Sequence, residues 1–419
     1  MKPRPWAAAL LGLAIILPTL FAFGLDMPRW WTGIPAWLAG MLLCHTASRR
    51  AAIQSAVLAS LGVTGLGWGA WHGVDLRWDL VAAGNALIIA MLASVSFLRL
   101  IVSAEGEHVP KGRKSLAKTA LGLHLFGAVI NMSMLYIVAH RLTRGRPLDD
   151  RQVMLFTRVF GAAAFWSPFF AAMGVALTYA PGAHIHDLMI TGAPLAVIAI
   201  VITVWQTARL PGDAFEGYPL NWTGLTLPVL LAVVVLIIND WLPAVPVIAI
   251  ICLIVPPLSM AGALMRSVDG RNIVSHHLKV ELPNMPNELV LFLAAGVMAA
   301  GTAAVFASFG DWMPFDSVGP LEMSMLLGLM LLLALVGVHP VIAIAVSGTL
   351  LAPLNPPPEL LASTFLCSWA IGVAISPFSG MNLALQGRFG LRVGQVLRVN
   401  LPYGLVMYGA AVLALFAAA

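Results

Sequence analysis

Two Ser-Pro-Phe triplets lie near the middle of long apolar runs, one at Ser167-Pro168 and the other at Ser376-Pro377. A proline inside a helix removes one backbone hydrogen bond and clashes with the preceding turn. At the first position of a helix, behind a capping serine, proline is instead favoured. Each run therefore predicts two half-helices, the second of which begins at Ser-Pro. The N-terminal end of a half-helix carries unpaired N–H groups and a partial positive charge, and both features suit an anion.

Small polar residues elsewhere extend this candidate site. Ser379 and Asn382 lie at the start of the second half-helix, where they could donate hydrogen bonds to an anion. Further polar residues interrupt two apolar segments, and we expect them to form the tips of helical hairpins at membrane depth. They are Asn131, Ser133, Ser347, Gly348 and Thr349. Each residue alone is more typical of close helix packing, but four clusters in matching positions of two halves indicate a binding site.

The sequence leaves sodium and a proton as the two alternatives for the coupling ion. No carboxylate lies at the breaks or at the expected tips, so the sequence gives little support to a relay of buried carboxylates. The side-chain and backbone oxygens of the tips are the ligands that a hard cation requires, which makes sodium the favoured ion. His124 and His339 are the candidates for a proton, because an unperturbed imidazole titrates near neutral pH.

The composition excludes most soluble classes of protein. The 419 residues are 60% hydrophobic and 10% charged, with a mean hydropathy of +0.91, whereas a soluble domain carries about 25% charged residues. The chain is therefore a polytopic membrane protein. No motif for nucleotide binding or for a familiar hydrolase is present, and the three isolated cysteines indicate neither a disulfide framework nor a metal site. The net charge of +5 resides in short loops and does not indicate a nucleic-acid partner.

Lys and Arg concentrate in alternate short loops, which marks those loops as cytoplasmic. This rule predicts a cytoplasmic N-terminus, an external C-terminus and about eleven spans of roughly 20 residues, and we expect the chain in the inner (plasma) membrane. Two segments, 118–141 and 320–352, have the same type of loop at both ends. We therefore expect each of them to enter the membrane and return to the side from which it entered. The expected spans lie near residues 6–24, 32–47, 52–71, 80–103, 152–180, 188–208, 222–239, 243–265, 287–309, 360–386 and 398–418.

The order of these elements repeats in inverted orientation. The predicted fold is an all-α polytopic membrane protein with about eleven transmembrane helices and two reentrant hairpins in an inverted repeat, an arrangement typical of transporters. The first repeat contains one hairpin and one broken helix, and the second contains the same pair upside down. The predicted parts are an extra N-terminal span (1–31), the first repeat (32–208, with hairpin 118–141 and broken helix 152–180), a linker (209–221) and the second repeat (222–419, with hairpin 320–352 and broken helix 360–386).

This series of hairpin, broken span and span resembles the ion transporter superfamily. That group includes the divalent anion/sodium symporters, the large membrane subunits of tripartite periplasmic transporters and arsenite-exporter-like permeases. Asn131-Met132-Ser133 and Ser347-Gly348-Thr349 only approximate the Ser-Asn-Thr signatures of the symporters. The resemblance implies that tips and breaks bind cation and substrate between a fixed scaffold and a moving body, often in a homodimer. In the tripartite case it implies an accessory subunit.

Two classes of function follow. The first is a secondary active transporter that moves a small, organic anion by alternating access, coupled to sodium or protons. Its variants are the membrane subunit of a tripartite transporter and an exporter of inorganic oxyanions. The second class is a membrane-embedded enzyme that handles lipids, whose only dense polar candidates are His184, His186 and Asp187, or His276 and His277.

Overall fold

The fold is helical throughout the part of the chain that the computed structural model describes. The described residues are 4–101, 111–130, 132–211, 214–218, 226–266, 268–309 and 318–418. Eight of their helices are long and apolar enough to cross a membrane. The chain is therefore a multi-pass membrane protein, as its composition predicted.

Nineteen α-helices make up the described fold. The first ten are α1 (Arg4–Ala22), α2 (Ile34–Leu43), α3 (Arg49–Trp71), α4 (Trp78–Ala83), α5 (Ala86–Val95), α6 (Arg113–Ile130), α7 (Met132–Thr143), α8 (Asp150–Met154), α9 (Ala171–Tyr179) and α10 (Ile185–Arg209). The others are α11 (Thr226–Trp241), α12 (Val247–Arg266), α13 (Gly270–His276), α14 (Pro286–Ser308), α15 (Pro320–Leu335), α16 (Pro340–Leu351), α17 (Pro358–Ile375), α18 (Gly380–Phe389) and α19 (Val393–Ala417).

Four of the expected spans are not single α-helices. The span expected near 32–47 is α2 followed by a short 3-10 turn, the one near 80–103 is α4, α5 and a 3-10 turn, and the one near 360–386 is α17 and α18. The span expected near 222–239 contains α11, which the structure describes from Thr226. The one near 152–180 is broken into α8, a π-helical turn at Leu155–Val159, a 3-10 turn at Ala162–Phe165 and α9. The break was expected from Pro168, whereas the π-helical turn had no signal in the sequence.

The chain divides into two compact units, each of which draws on both halves of the sequence. The first unit consists of Met1–Ile101, Leu227–Asp316 and Ala345–Pro353, and the second of Val102–Thr226, Ser317–Ile344 and Leu354–Ala419. The second unit therefore contains both broken helices, the helices α6 and α7, and α15. The helix α16 begins in the second unit and continues into the first.

Inside the first unit, α3 and α14 pack with their backbones in contact. A Cβ atom built on Gly62 would lie 2.5 Å from the carbonyl oxygen of Val297, and one built on Gly65 would lie 2.6 Å from that of Gly301. The helix α5 packs in turn against α12. Glycine allows this approach because it has no side chain. Such close packing of backbones is a main source of helix association in lipid.

Inside the second unit, α17 is the central helix and packs against α15, α19, α9 and the 3-10 turn before the first break. In the apolar segment that spans α17 and α18, 94% of the most hydrophobic window is buried in protein. Polar side chains on this segment therefore face other protein groups and not lipid.

The linker between the predicted repeats folds back onto the base of α6, within the second unit. Gly112 N donates to Phe215 O at 2.8 Å, and Lys111 and Glu216 form an isolated β-bridge. The Glu216 carboxylate also contacts Lys111 Nζ at 3.0 Å and Arg144 Nη2 at 2.5 Å. The hydrogen bond from Lys111 and the charge of Arg144 lower the pKa of Glu216.

Candidate functional site

The first break is a β-turn pinned to the end of α6. Ser167 N still donates to Ala163 O at 2.9 Å, but the next helical bond is lost because Pro168 has no N–H. The Ser167 hydroxyl donates to Ala128 O at 2.6 Å and accepts from Phe169 N at 3.3 Å. The turn closes when Phe170 N donates to Ser167 O at 3.2 Å.

The second break repeats each of these four bonds. Ser376 N donates to Gly372 O at 2.9 Å, and the Ser376 hydroxyl donates to Ala334 O, near the end of α15, at 2.5 Å. The same hydroxyl accepts from Phe378 N at 3.2 Å, and Ser379 N donates to Ser376 O at 3.2 Å. Ser167 and Ser376 are both buried. Two segments far apart in the chain thus share one local geometry.

This geometry corrects the expected start of the second half-helices. We expected them to begin at Ser-Pro, but α9 begins at Ala171 and α18 at Gly380. The physical reason is that each proline occupies the second position of a β-turn, a position that its fixed φ angle also favours. The serines therefore close the turn and hold a neighbouring helix, and they do not cap the next helix.

The carbonyls that the second break releases are satisfied by Ser379 and Asn382. Val373 O loses its helical donor because of Pro377, and it accepts instead from Ser379 Oγ at 2.9 Å and from Asn382 Nδ2 at 3.2 Å. Asn382 Nδ2 also lies 2.9 Å from Ser376 O. Ser379 Oγ in addition accepts from Asn382 N at 3.2 Å, which caps α18.

These bonds reverse the expected role of Asn382. Its amide nitrogen faces backbone carbonyls, so it has no donor to spare for an anion. Its Oδ1 atom is buried, and no described group donates to it. An unpaired buried acceptor costs about 1–3 kcal/mol, and a bound cation or donor group would remove that cost.

The first break has no polar counterpart of this kind. The residues at the same distances after its serine are Phe170 and Met173, both buried and apolar. What lies beside the first break instead is Trp166, whose indole Nε1 donates to His124 Nε2 at 2.9 Å. The two breaks are thus alike in backbone and different in the chemistry that they offer.

Both candidate histidines are engaged in hydrogen bonds that suit a neutral ring. His124 Nε2 accepts from Trp166, so its Nδ1 carries the hydrogen that bonds Val159 O at 3.0 Å. His339 Nδ1 accepts from Val341 N at 3.2 Å, and its ring lies edge-on to Trp369 at 5.6 Å. Adding a proton to either ring would break one of these bonds.

The expected hairpin tips are only partly described. Asn131 lies outside the described residues, and Ser133 lies in the first turn of α7. The structure corrects the second tip, because Ser347, Gly348 and Thr349 lie inside the continuous helix α16.

The turn before α16 occurs instead around Gly337, whose φ of +99° favours glycine. Pro340 then begins α16, a position that suits proline. Small polar residues such as Ser347 are tolerated inside membrane helices, which explains why they did not mark a turn.

A buried polar cluster that the sequence did not single out as a site is centred on Arg158. Its guanidinium is buried and donates to Asn400 Oδ1 at 2.9 Å, to Gln206 Oε1 at 2.6 Å and to the carbonyl of Val399. It also lies 4.7 Å from the centre of the Tyr403 ring. The signal was a basic residue inside an apolar run, since ionisable groups at membrane depth are rare and usually functional.

Comparisons with known proteins give a likeness in solved structures but none in sequence. No protein-family model matches the chain, and no curated protein matches it. The chain is similar to the YdaH transporter of Alcanivorax borkumensis, with 16% sequence identity over 78% of this chain and 83% of that one, at a TM-score of 0.48.

The residues proposed for a membrane enzyme do not form a metal centre in the part of the chain that is described. No group of three His, Cys, Asp or Glu side chains is placed there to hold a metal ion. His277 instead hydrogen-bonds to Ser96 Oγ at 3.2 Å, and His276 lies 3.8 Å from the Glu281 carboxylate.

Proposed function

We propose that this chain is a secondary active transporter of a small, organic anion that works by alternating access and is coupled to a monovalent cation. The observation that carries the proposal is the pair of matched breaks at Ser167 and Ser376, of which the second has an unpaired buried acceptor at Asn382. Broken helices in corresponding halves are the usual place of a transporter's binding site.

Two sets of contacts support an inverted repeat. The four hydrogen bonds at one break recur at the other with nearly equal lengths. In the first unit, the second span of one repeat (α3) packs on the third span of the other (α14), and the third span of the first repeat (α5) packs on the second span of the other (α12). A two-fold relation between repeats requires this exchange of partners.

Sodium is the better supported coupling ion. Asn382 Oδ1 is an amide carbonyl oxygen, which is a suitable ligand for a hard cation, and it has no described hydrogen-bond donor. His124 and His339 each accept a hydrogen bond that protonation would remove. We therefore place the cation beside Asn382, at the turn that follows Ser376.

The anion is supported by the two helix ends. The N-termini of α9 and α18 follow the two turns, and a helix N-terminus favours negative charge.

The test begins with thermal stability of the purified protein in detergent. Sodium chloride should raise the unfolding temperature relative to choline chloride, and a screen of carboxylates and oxyanions with sodium present should identify the transported anion. Uptake of that anion into proteoliposomes should then depend on a sodium gradient.

Asn382→Met is the decisive variant, because the first break carries Met173 at the same distance from its serine. We expect this variant to fold but to lose the sodium shift and sodium-driven uptake. Met173→Leu is the matched control and should keep both. A wild-type protein that sodium does not stabilise, or an Asn382→Met variant that transports normally, would contradict the proposal.

A further inference from the structure

A chain of hydrogen bonds connects the buried arginine of the first broken helix to the turn of the second. Arg158 Nε donates to Asn400 Oδ1 at 2.9 Å, and Asn400 Nδ2 donates to Ala374 O at 2.9 Å. Ala374 O also lies 3.4 Å from Asn382 Nδ2. All of these groups belong to the second unit, and all are buried.

The direction of this chain is fixed at both ends. A guanidinium has only donors and a backbone carbonyl only accepts, so Asn400 must present its oxygen to Arg158 and its nitrogen to Ala374 O. Thr157 Oγ1, which accepts from Asn400 Nδ2 at 2.9 Å, is compatible with the same orientation because its own hydrogen goes to Val153 O at 2.8 Å.

An accepting group in place of the arginine would oppose this orientation. Ala374 O holds the Asn400 nitrogen, and an acceptor at position 158 would compete for the same nitrogen. The Asn400 oxygen would also lose its charged donor. The end of α17 would then be held less firmly, and with it the carbonyls that hold Asn382.

We propose that Arg158 is a positioning residue for the second break: through Asn400 it fixes the last turn of α17, so that Asn382 keeps its nitrogen on the backbone and its Oδ1 free for a cation. Arg158 touches neither ion nor substrate in this role. Its buried guanidinium is retained because a group with donors alone always agrees with the orientation that Ala374 O requires of the Asn400 amide.

This positioning role gives a reason for the free-energy cost of burying the Arg158 guanidinium, which packing alone does not. A guanidinium held by neutral groups inside a membrane protein is expensive, since its partners only partly replace water. An aliphatic side chain would fill the same space between α10 and α19 without that cost. The bonds of Arg158 also tie its π-helical turn to α19 and α10, through Asn400 and Gln206.

The experiment compares Arg158→Lys with Arg158→Gln in the full-length protein. Lysine has only donors and should preserve a hydrogen bond from position 158 to Asn400 Oδ1, whereas glutamine also accepts and can compete with Ala374 O for the Asn400 nitrogen. Hydrogen exchange of the peptide that covers residues 376–383 should therefore be close to wild type in the lysine variant and faster in the glutamine variant. The peptide around Ser167 reports on general loosening of the unit and should change less.

Sodium affinity is the second measurement, because a purely structural role of Arg158 predicts no change in it. The cation readout rests on the function proposed above, and the exchange readout does not. Arg158→Gln should weaken the apparent sodium affinity about tenfold or more, as loss of a group behind a metal ligand does, and Arg158→Lys should restore most of it. Asn85→Ser, which removes a buried asparagine bond to Phe292 O in the first unit, is the control for general destabilisation.

The outcomes separate the two proposals. Faster exchange at 376–383 in the glutamine variant alone supports the positioning role, even if sodium binds neither wild type nor variant. Equal exchange in the lysine and glutamine variants overturns it, whatever sodium does. Equal sodium affinity in these two variants, when wild type binds sodium, overturns it as well.

Discussion

At the scale of single residues, Ser167 and Ser376 act as connectors. Each hydroxyl gives its hydrogen to a carbonyl of another helix and receives the amide hydrogen of the residue two positions later. One side chain thereby satisfies one group of its own turn and one group of a neighbouring helix end, where carbonyls lack helical partners. The turn and the helix end are held in register.

Replacement of either serine by alanine should therefore destabilise the protein by a similar amount. We expect Ser167→Ala and Ser376→Ala each to cost about 1–2 kcal/mol, because each leaves a buried carbonyl with one donor fewer. Unfolding in detergent, followed by the exposure of tryptophan, measures this cost. Ser324→Ala is the control, since Ser324 Oγ donates to Pro320 O of its own helix and to no other described group, and it should cost about 0.5 kcal/mol or less. A large difference between the two breaks would show that their hydrogen bonds are not equivalent.

His277 gives the first unit a dependence on pH. Its ring is buried, lies tilted against Phe97 with 4.5 Å between ring centres and hydrogen-bonds to Ser96 Oγ. Burial and the nearby charge of Arg99 lower the pKa of His277 to about 4. In the unfolded chain the same ring titrates near 6.5, so the unfolded state binds more protons between these two values.

Stability should therefore be full above pH 6.5 and fall as the pH decreases toward 4, by at most roughly 3 kcal/mol. His277→Gln keeps a polar contact to Ser96 but cannot titrate, and it should flatten the unfolding temperature over that interval. His45→Gln, at an exposed position, is the control. An unchanged pH profile in His277→Gln would mean that another group is responsible.

At the scale of elements, the contact between α3 and α14 depends on glycine at particular positions. Gly65 faces the backbone of Gly301, whereas Gly67, half a turn further along, faces open space. Backbone cannot yield as a side chain can, so a methyl group at the first position must push the helices apart.

Gly65→Ala should cost about 1–3 kcal/mol through overpacking, whereas Gly67→Ala should be neutral or slightly stabilising because alanine is the better helix former. The two variants have the same composition and lie on the same helix, which makes each the control of the other. Unfolding temperatures of both variants, measured side by side, test this. Equal temperatures would show that α3 and α14 do not pack as described.

At the scale of the whole molecule, the distribution of Lys and Arg predicts an odd number of crossings. The N-terminus should be cytoplasmic and the C-terminus external, since the basic loops alternate with loops nearly free of cations. This orientation also fixes the direction from which each hairpin enters, and hence the inversion of the two repeats.

Fusions at the two termini test this orientation. Alkaline phosphatase, which is active only outside the cytoplasm, should be active at the C-terminus, and green fluorescent protein should fluoresce at the N-terminus. Fusions after Arg209, in the linker that we expect to be cytoplasmic, serve as an internal control. An inactive phosphatase at the C-terminus, with full expression, would rule out the predicted series of spans.

The linker shows how far sequence patterns extend toward tertiary structure. Its composition predicted a cytoplasmic connection between repeats, and nothing in it predicted that Glu216 would pair with Lys111 and Arg144 or that Gly217 would lie against Ser115. A Cβ on Gly217 would approach Ser115 Oγ to 2.0 Å. Contacts of this kind depend on where a distant segment of the chain folds, and local composition does not predict that position.

The sequence by itself determined the membrane environment, the helical class and the two breaks. These follow from local chemistry: long apolar runs must satisfy their backbone groups internally as helices, and a proline removes a helical bond wherever the helix passes through it. The same local chemistry could not state where the next helix begins, and α9 and α18 start after the turns, not at Ser-Pro.

Only the tertiary structure decided which polar groups remain available. Asn382 and Asn400 are both buried asparagines, but one keeps an unpaired oxygen and the other is held by Arg158 from 242 residues away in the chain. An asparagine amide has both a donor and an acceptor. Which of the two remains unpaired depends on the partners that folding brings next to it. The candidate site therefore depends on the contacts that folding makes among α17, α18 and α19.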